Sequence, residues 1–143
     1  MGESKRSEIE RLTKEAVINS TIGGRGWMNA VAEVVRQAVV SGAASGRPTR
    51  EVVLEACHGA VLGLRLVDKD LPEPAAAIIA KLAEAAEQTH SDLQDMLTWT
   101  AEGLAKAAPD LPGENDIREA IDEKFLGVGE IFDRFRDEAR KAQ

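Results

Sequence analysis

The sequence predicts an all-α protein, an antiparallel helical bundle of about five or six helices that ends in a long C-terminal helix. Its 143 residues are 43% hydrophobic and 30% charged but only 3% aromatic, and tyrosine is absent. This composition, with alanine as its main filler, favours helix. Apolar residues recur at helical spacing, whereas no alternating segment and no hairpin turn predicts a strand.

Glycines and prolines divide the chain into six predicted helices, since both residue types break helical backbone. The first helix is predicted over residues 7–19 and ends at the glycine-rich segment 23–26. The second follows it and ends between Gly42 and Pro48. The third covers Val52–Val67, and Thr49 is its predicted N-cap.

The second half of the chain is divided in the same way. The fourth helix is predicted over Pro74–Gln88, because proline is tolerated in a first turn. Ser91 with Gln94 resembles a capping box, which predicts the start of the fifth helix. The sixth is predicted over Asp116–Lys141. We expect a single domain over residues 1–143, with residues 1–6 as a disordered tail.

The third helix is the most apolar segment and is predicted to lie at the centre of the fold. A helical wheel places Cys57 on its apolar side, which predicts a buried thiol, and places Glu55 and His58 on the opposite, solvated side. Gly59 and Gly63 predict that another helix comes close, either within the subunit or from a second subunit.

Two Glu-x-x-His pairs, Glu55 with His58 and Glu87 with His90, resemble the metal-binding pattern of ferritin-like bundles. Geometry argues against a metal site here. The first pair is predicted to point outward, and antiparallel neighbours would place the two histidines roughly 12 Å apart along the bundle. No metal, cofactor or catalytic residue is therefore predicted, and solvated Glu–His pairs are the preferred interpretation.

Two features predict an interface. Trp99 falls on the polar side of the fifth helix, so it is either an exposed contact residue or is covered by another part of the chain. The sixth helix carries an apolar seam with the spacing of a coiled coil, which packs either on its own bundle or on a partner. The seam consists of Ile121, Phe125, Val128, Phe132 and Phe135.

Charge and composition restrict the possible partners and location. The net charge of −7 argues against nucleic acid as a partner. The single cysteine favours a reducing compartment, and neither a signal peptide nor a transmembrane segment is evident, so we expect a cytoplasmic protein.

A non-enzymatic interaction or scaffold protein is the function that this sequence favours. We expect it to form a homo-oligomer through the C-terminal helix, with a dimer as the first expectation, or to bind a protein partner. A carrier or coat protein for an apolar ligand or surface is the alternative, and a carboxylate–histidine metal protein is a second one. The motif Asp-Leu-Pro occurs at residues 70–72 and 110–112, which raises the hypothesis of a duplicated unit.

Overall fold

The computed structural model describes residues 2–107 and 114–142, and the side chains of residues 8–107 and 116–142. These parts of the chain form seven helices and no strand, so the predicted all-α class is confirmed. The helices are α1 (Gly2–Thr21), α2 (Trp27–Ala44), α3 (Thr49–Leu66), α4 (Pro72–Gln88), α5 (Leu93–Ala107), α6 (Glu114–Lys124) and α7 (Val128–Lys141).

The helices form a bundle of two layers. Within the described residues, every contact between helices joins elements that are one or two positions apart along the chain. One layer contains α1, α3, α5 and α7 in that order, and the other contains α2, α4 and α6. Helix α2 packs on α1 and α3, α4 packs on α5, and α6 packs on α7. Chain order is therefore also spatial order, as in stacked helical arrays.

Helix direction follows this layering. Helices α6 and α7 run antiparallel, because Arg118 pairs with Asp133 while Asp122, one turn further on, meets Gly129. Helices α1 and α3 run parallel, because Gly59 lies against Glu10 while Gly63, one turn further on, lies against Lys14. Parallel alignment of α1 and α3 is what an antiparallel bundle gives to helices that are two positions apart in the chain.

The core is aliphatic and lies between the two layers. Its largest fully buried side chains come from all seven helices, which shows that both layers contribute to one continuous cluster. The members of this set include Phe132, Leu64, Ile78, Ile79, Leu82, Met96 and Ile121. Since burial of such side chains stabilises a fold by about 1.5–3 kcal/mol each, this cluster is the main source of stability.

The predicted long C-terminal helix is wrong, because the chain reverses direction within it. Gly127 adopts a φ of 95°, a left-handed conformation that a helix interior does not contain. The Asp122 carboxylate then accepts hydrogen bonds from the backbone N–H groups of Gly127 and Gly129, at 2.9 and 3.0 Å. These bonds satisfy amides at the start of α7, so the segment forms two helices.

Other boundaries differ from the predictions by a few residues. Helix α5 is preceded by Asp92, whose carboxylate accepts a hydrogen bond from Asp95 N–H, so the predicted capping role of Ser91 is wrong.

The motif at 110–112 lies outside the described residues, and the duplication stays a hypothesis. The disordered tail at 1–6 and the single domain also stay predictions. No helix in the described ranges has both the length and the apolar character that a membrane crossing needs.

Candidate functional site

Helix α3 is central to its layer, since it contacts α1 on one side and α5 on the other. Cys57 is fully buried there, which confirms the predicted core position. Burial raises the pKa of the Cys57 thiol to about 12, because a thiolate is disfavoured away from water. A thiol held in its neutral form is a poor nucleophile, so this cysteine does not support catalysis.

The two Glu-x-x-His pairs lie apart and have different surroundings. Glu55 is only 7% exposed and forms an ion pair with Arg47, so its predicted solvated position is wrong. His58 is partly exposed and has its Nδ1 3.6 Å from a carboxylate oxygen of Glu10. Glu87 and His90 are exposed at the end of α4. Within the described residues, no three His, Cys, Asp or Glu side chains form a group that could hold a metal ion.

Gly59 and Gly63 are the points at which α3 comes closest to α1. A Cβ atom at Gly59 would lie closer than 3.0 Å to the carbonyl oxygen of Glu10, and one at Gly63 would lie 2.9 Å from that of Lys14. Real Cβ atoms essentially never approach that closely. The space beside both glycines is therefore occupied by the backbone of α1 from the same chain.

Three members of the predicted phenylalanine seam are buried in the chain. Ile121, Val128 and Phe132 belong to the core, while Phe125 and Phe135 are partly buried against it. The seam is divided between α6 and α7, which pack against each other and against α4 and α5. Its buried part is used within the bundle, and Phe135 remains accessible in part.

The most unusual polar feature is a buried carboxylate on α5 that binds cations from two helices. The Glu102 side chain is only 3% exposed, although carboxylates are rarely buried. Arg50, from α3, donates through Nε at 3.2 Å and Nη2 at 2.5 Å to the two carboxylate oxygens. Lys106, one turn further along α5, donates at 2.7 Å. Charge-assisted bonds of this kind are the strong ones in proteins.

Helix α7 extends this arrangement to a third helix. The Lys106 ammonium lies 5.7 Å from the centre of the Phe135 ring, and the Arg134 guanidinium lies 5.4 Å from the same ring. Both distances are within the range of cation–π attraction. We call Arg50, Glu102, Lys106, Arg134 and Phe135 the three-helix patch. It contains three cations and one carboxylate, on a chain whose net charge is −7.

Two of the contact residues predicted from the sequence lie in or beside the three-helix patch. Trp99 lies one turn before Glu102 on α5 and is partly buried against the core, while its role as a contact residue stays a prediction. Phe135 was also a predicted contact residue. Arg50 was missed, because it is 52 residues away from Glu102 in the chain. The spacing of four between Glu102 and Lys106 is a local signal, but it indicates neither burial nor the second cation.

One small cavity lies in the apolar interior of the described residues. A cavity of about 10 Å³ lies among apolar side chains of α3, α4, α5 and α6, including Leu64, Ile78 and Leu104. Such a volume is about that of one water molecule, so it does not accommodate an apolar ligand. This cavity therefore does not favour the carrier hypothesis.

The chain was compared with protein families, curated proteins and solved structures, and none of them matches it.

Proposed function

We propose that this protein is a non-enzymatic helical interaction protein that self-associates through the three-helix patch, to which the C-terminal helix α7 contributes. One observation carries the proposal. Two cations from different helices share one buried carboxylate and remain half exposed, with 50% of the Arg50 side chain and 45% of the Lys106 side chain accessible. A third cation, Arg134, is exposed beside them.

The patch has donors left for a partner. A guanidinium has five N–H donors and an ammonium has three, so Arg50 and Lys106 do not use all of theirs on Glu102. Because Glu102 holds both side chains in place, little conformational entropy is lost when a partner carboxylate binds them. Phe135 adds an apolar contact at the same place, and aromatic side chains with arginine are typical of interface centres.

A second copy of the chain is the partner that fits the charge of this patch. The chain is acidic overall, so another copy presents carboxylates to a basic patch. Exposed carboxylates occur on α1, for example at Glu8 and Glu15. In a dimer with twofold symmetry such a contact is made twice, once by each patch, which doubles its contribution.

The proposal is tested by sedimentation velocity on the full chain over a range of protein concentrations, at about 50 and 500 mM NaCl. We expect a dimer at the lower salt concentration and a weaker dimer at the higher one. The double variant Lys106→Gln and Arg134→Gln should raise the dimer dissociation constant about tenfold, because each lost pair contributes up to about 1 kcal/mol.

The matched control is the double variant Arg25→Gln and Lys124→Gln, which removes two exposed cations outside the patch. It should leave the dissociation constant unchanged, and circular dichroism should show equal helicity for both double variants. A wild-type chain that stays monomeric at every concentration would contradict self-association. An equal effect of the two double variants would instead show that the patch is not the contact surface.

A further inference from the structure

The loop between α1 and α2 is open to solvent along its whole length. Residues 22–26 are all exposed, and Ile22 is 78% exposed. A Cβ atom added at Gly24 or Gly26 would meet nothing within 4 Å apart from its chain neighbours. Exposed loop tips with small residues are the places at which proteases preferentially cut a folded chain. This loop therefore has the features of a protease-sensitive segment.

Few interactions fix the backbone of this loop. Glycines occupy three of its five positions, 23, 24 and 26, and glycine adopts extended and left-handed conformations alike. Within the described part of the chain, no side chain forms a hydrogen bond with residues 22–26. A protease binds its substrate in an extended form, and this loop can reach that form with few contacts broken.

Arg25 selects one class of protease. Its side chain is exposed and forms no ion pair with a described residue. Proteases of the trypsin class bind such a cation in a pocket that contains a carboxylate. Both chain neighbours of Arg25 are glycines, so no adjacent side chain hinders access. The bond from Arg25 to Gly26 is therefore suited to this class.

Arg47 is a second basic residue in a segment that joins two helices, but it is held in place. Its side chain is only 17% exposed and pairs with Glu55. It also precedes Pro48, whose ring restricts the conformation of the residue before it. The segment 108–113, which lies outside the description, contains neither lysine nor arginine.

Two lysines near helix ends are also constrained. The Lys69 ammonium lies 4.7 Å from the centre of the Trp27 ring, in a cation–π contact. Lys124 is exposed at the end of α6, but the Asp122 carboxylate fixes the turn that follows, since it accepts a hydrogen bond from Gly127 N–H at 2.9 Å. The loop between α1 and α2 has no such bond and should open more easily.

Helix α1 lies at one edge of its layer and has few buried side chains. In its described part Val17 is the buried apolar side chain, whereas Leu12 is 48% exposed. The covalent link through the loop keeps α1 beside α3 at an effective concentration of about millimolar, and cleavage removes that advantage. A separated α1 at micromolar concentration should therefore dissociate.

The rest of the bundle keeps its core when α1 is removed. Among the largest fully buried side chains, Val17 is the one that comes from α1, and the others come from helices α2 to α7. Burial of these side chains is the main source of stability. The part of the chain from residue 26 onward should therefore stay folded.

We propose that the bond between Arg25 and Gly26 is a processing site, at which a protease of the trypsin class detaches helix α1 from the bundle. Hydrolysis adds one water molecule across the peptide bond and leaves a carboxylate on Arg25 and an ammonium group on Gly26. Detachment exposes the surface of α3 around Gly59 and Gly63 that α1 covers. The site lies outside the three-helix patch and does not depend on self-association.

Limited digestion of the native full chain with trypsin, followed by intact mass spectrometry, tests the choice of bond. Cuts near the chain ends, after Lys5, Arg6, Arg140 or Lys141, remove only a few residues and leave every loop intact. Among all other bonds, we expect the one after Arg25 to be cut first, which gives a product that begins at residue 26. An earlier cut at any other of these bonds would overturn the proposal.

A pair of variants assigns the cut to Arg25. Arg25→Gln should slow the loss of the uncut bundle about tenfold, because it removes the basic residue of this loop. Lys124→Gln removes an exposed cation beside another turn and should leave the rate unchanged. Circular dichroism should show equal helicity for both variants. Equal digestion rates for the wild type and Arg25→Gln would contradict the proposal.

Size-exclusion chromatography of the digest tests the detachment of α1. The protease is inhibited after the first cut, and the mixture is applied at micromolar concentration. We expect the product that begins at residue 26 to elute as a helical protein without the fragment that ends at Arg25. Co-elution of the two fragments, or loss of helicity in the larger one, would show that α1 is a permanent part of the bundle and would overturn the proposal.

Discussion

Helix α3 packs against its two neighbours in opposite ways. Toward α1 it presents Gly59 and Gly63, and the backbone of α1 occupies the space that side chains would need. Toward α5 it presents Cys57, and Arg50 reaches across to the buried Glu102. The first interface depends on the absence of side chains, and the second depends on particular charged ones. The two interfaces should therefore respond to different substitutions.

The largest effect is expected at the glycine interface. Gly59→Ala should lower the free energy of unfolding by about 2–3 kcal/mol, because the new Cβ would meet the carbonyl oxygen of Glu10, and backbone cannot move aside cheaply. This cost exceeds the roughly 1 kcal/mol by which alanine favours helix. Urea unfolding monitored by circular dichroism measures it.

Gly23→Ala is the matched control for this prediction. Its Cβ would lie 3.7 Å from the nearest atom, the carbonyl oxygen of Ser20, which is an ordinary contact distance. We expect a change within about 0.5 kcal/mol. Equal effects at positions 23 and 59 would show that the approach of α1 to α3 contributes nothing to stability.

An intermediate effect is expected at the charged interface. Glu102→Gln should lower the free energy of unfolding by about 1–2 kcal/mol, because it weakens the bonds to Arg50 and Lys106. The loss stays moderate since both cations are half exposed and regain water. The same urea unfolding experiment applies.

Glu15→Gln serves as the control for Glu102→Gln. Glu15 pairs with Arg11 at 3.4 Å, and both side chains are more than half exposed. Surface pairs of this kind contribute about 0.5 kcal/mol or less, so a clearly smaller loss is expected. If Glu15→Gln costs as much as Glu102→Gln, the burial of Glu102 has no energetic role.

The smallest effect concerns Cys57, which lies on the α5 side of α3. Its folded pKa of about 12 is above the value of about 8.5 in an unfolded chain. Its contribution to stability is therefore complete below about pH 8.5 and is lost as pH rises toward 12. Compared with Cys57→Ala, the wild-type chain should lose stability more steeply between about pH 9 and 11.

Alkylation provides an independent check on Cys57. Iodoacetamide should modify this thiol slowly in the folded protein at pH 8, and rapidly in urea, because only the unfolded chain exposes it. Fast alkylation without urea would contradict the buried, neutral thiol. Mass spectrometry of the intact chain follows the reaction.

Local signals in the sequence predicted most helix positions, but they did not predict every buried side chain. Glycine and proline act on the backbone where they stand, so the ends of α2, α3 and α4 were predictable to within a few residues. The division between α6 and α7 was not, because it depends on Asp122 bonding to the amides of Gly127 and Gly129 after the chain has turned.

The polar faces show why part of the site was missed. A helical wheel assigns one buried side to each helix, and it placed Glu55 on the exposed side. Helices α3 and α5 are each covered on two sides within their layer, which buries the carboxylates of Glu55 and Glu102. Each is then held by a cation: Arg47 pairs with Glu55, and Arg50 pairs with Glu102 from 52 positions away.

The sequence by itself determined the helical class, the central place of α3 and the burial of Cys57, because these follow from composition, periodicity and backbone restrictions over a few residues. Only the tertiary structure decided which helices become neighbours, and hence that Gly59 meets α1 and that Glu102 binds Arg50. Contacts between distant segments depend on how whole helices stack, and no local pattern encodes that choice. The three-helix patch is a product of that stacking.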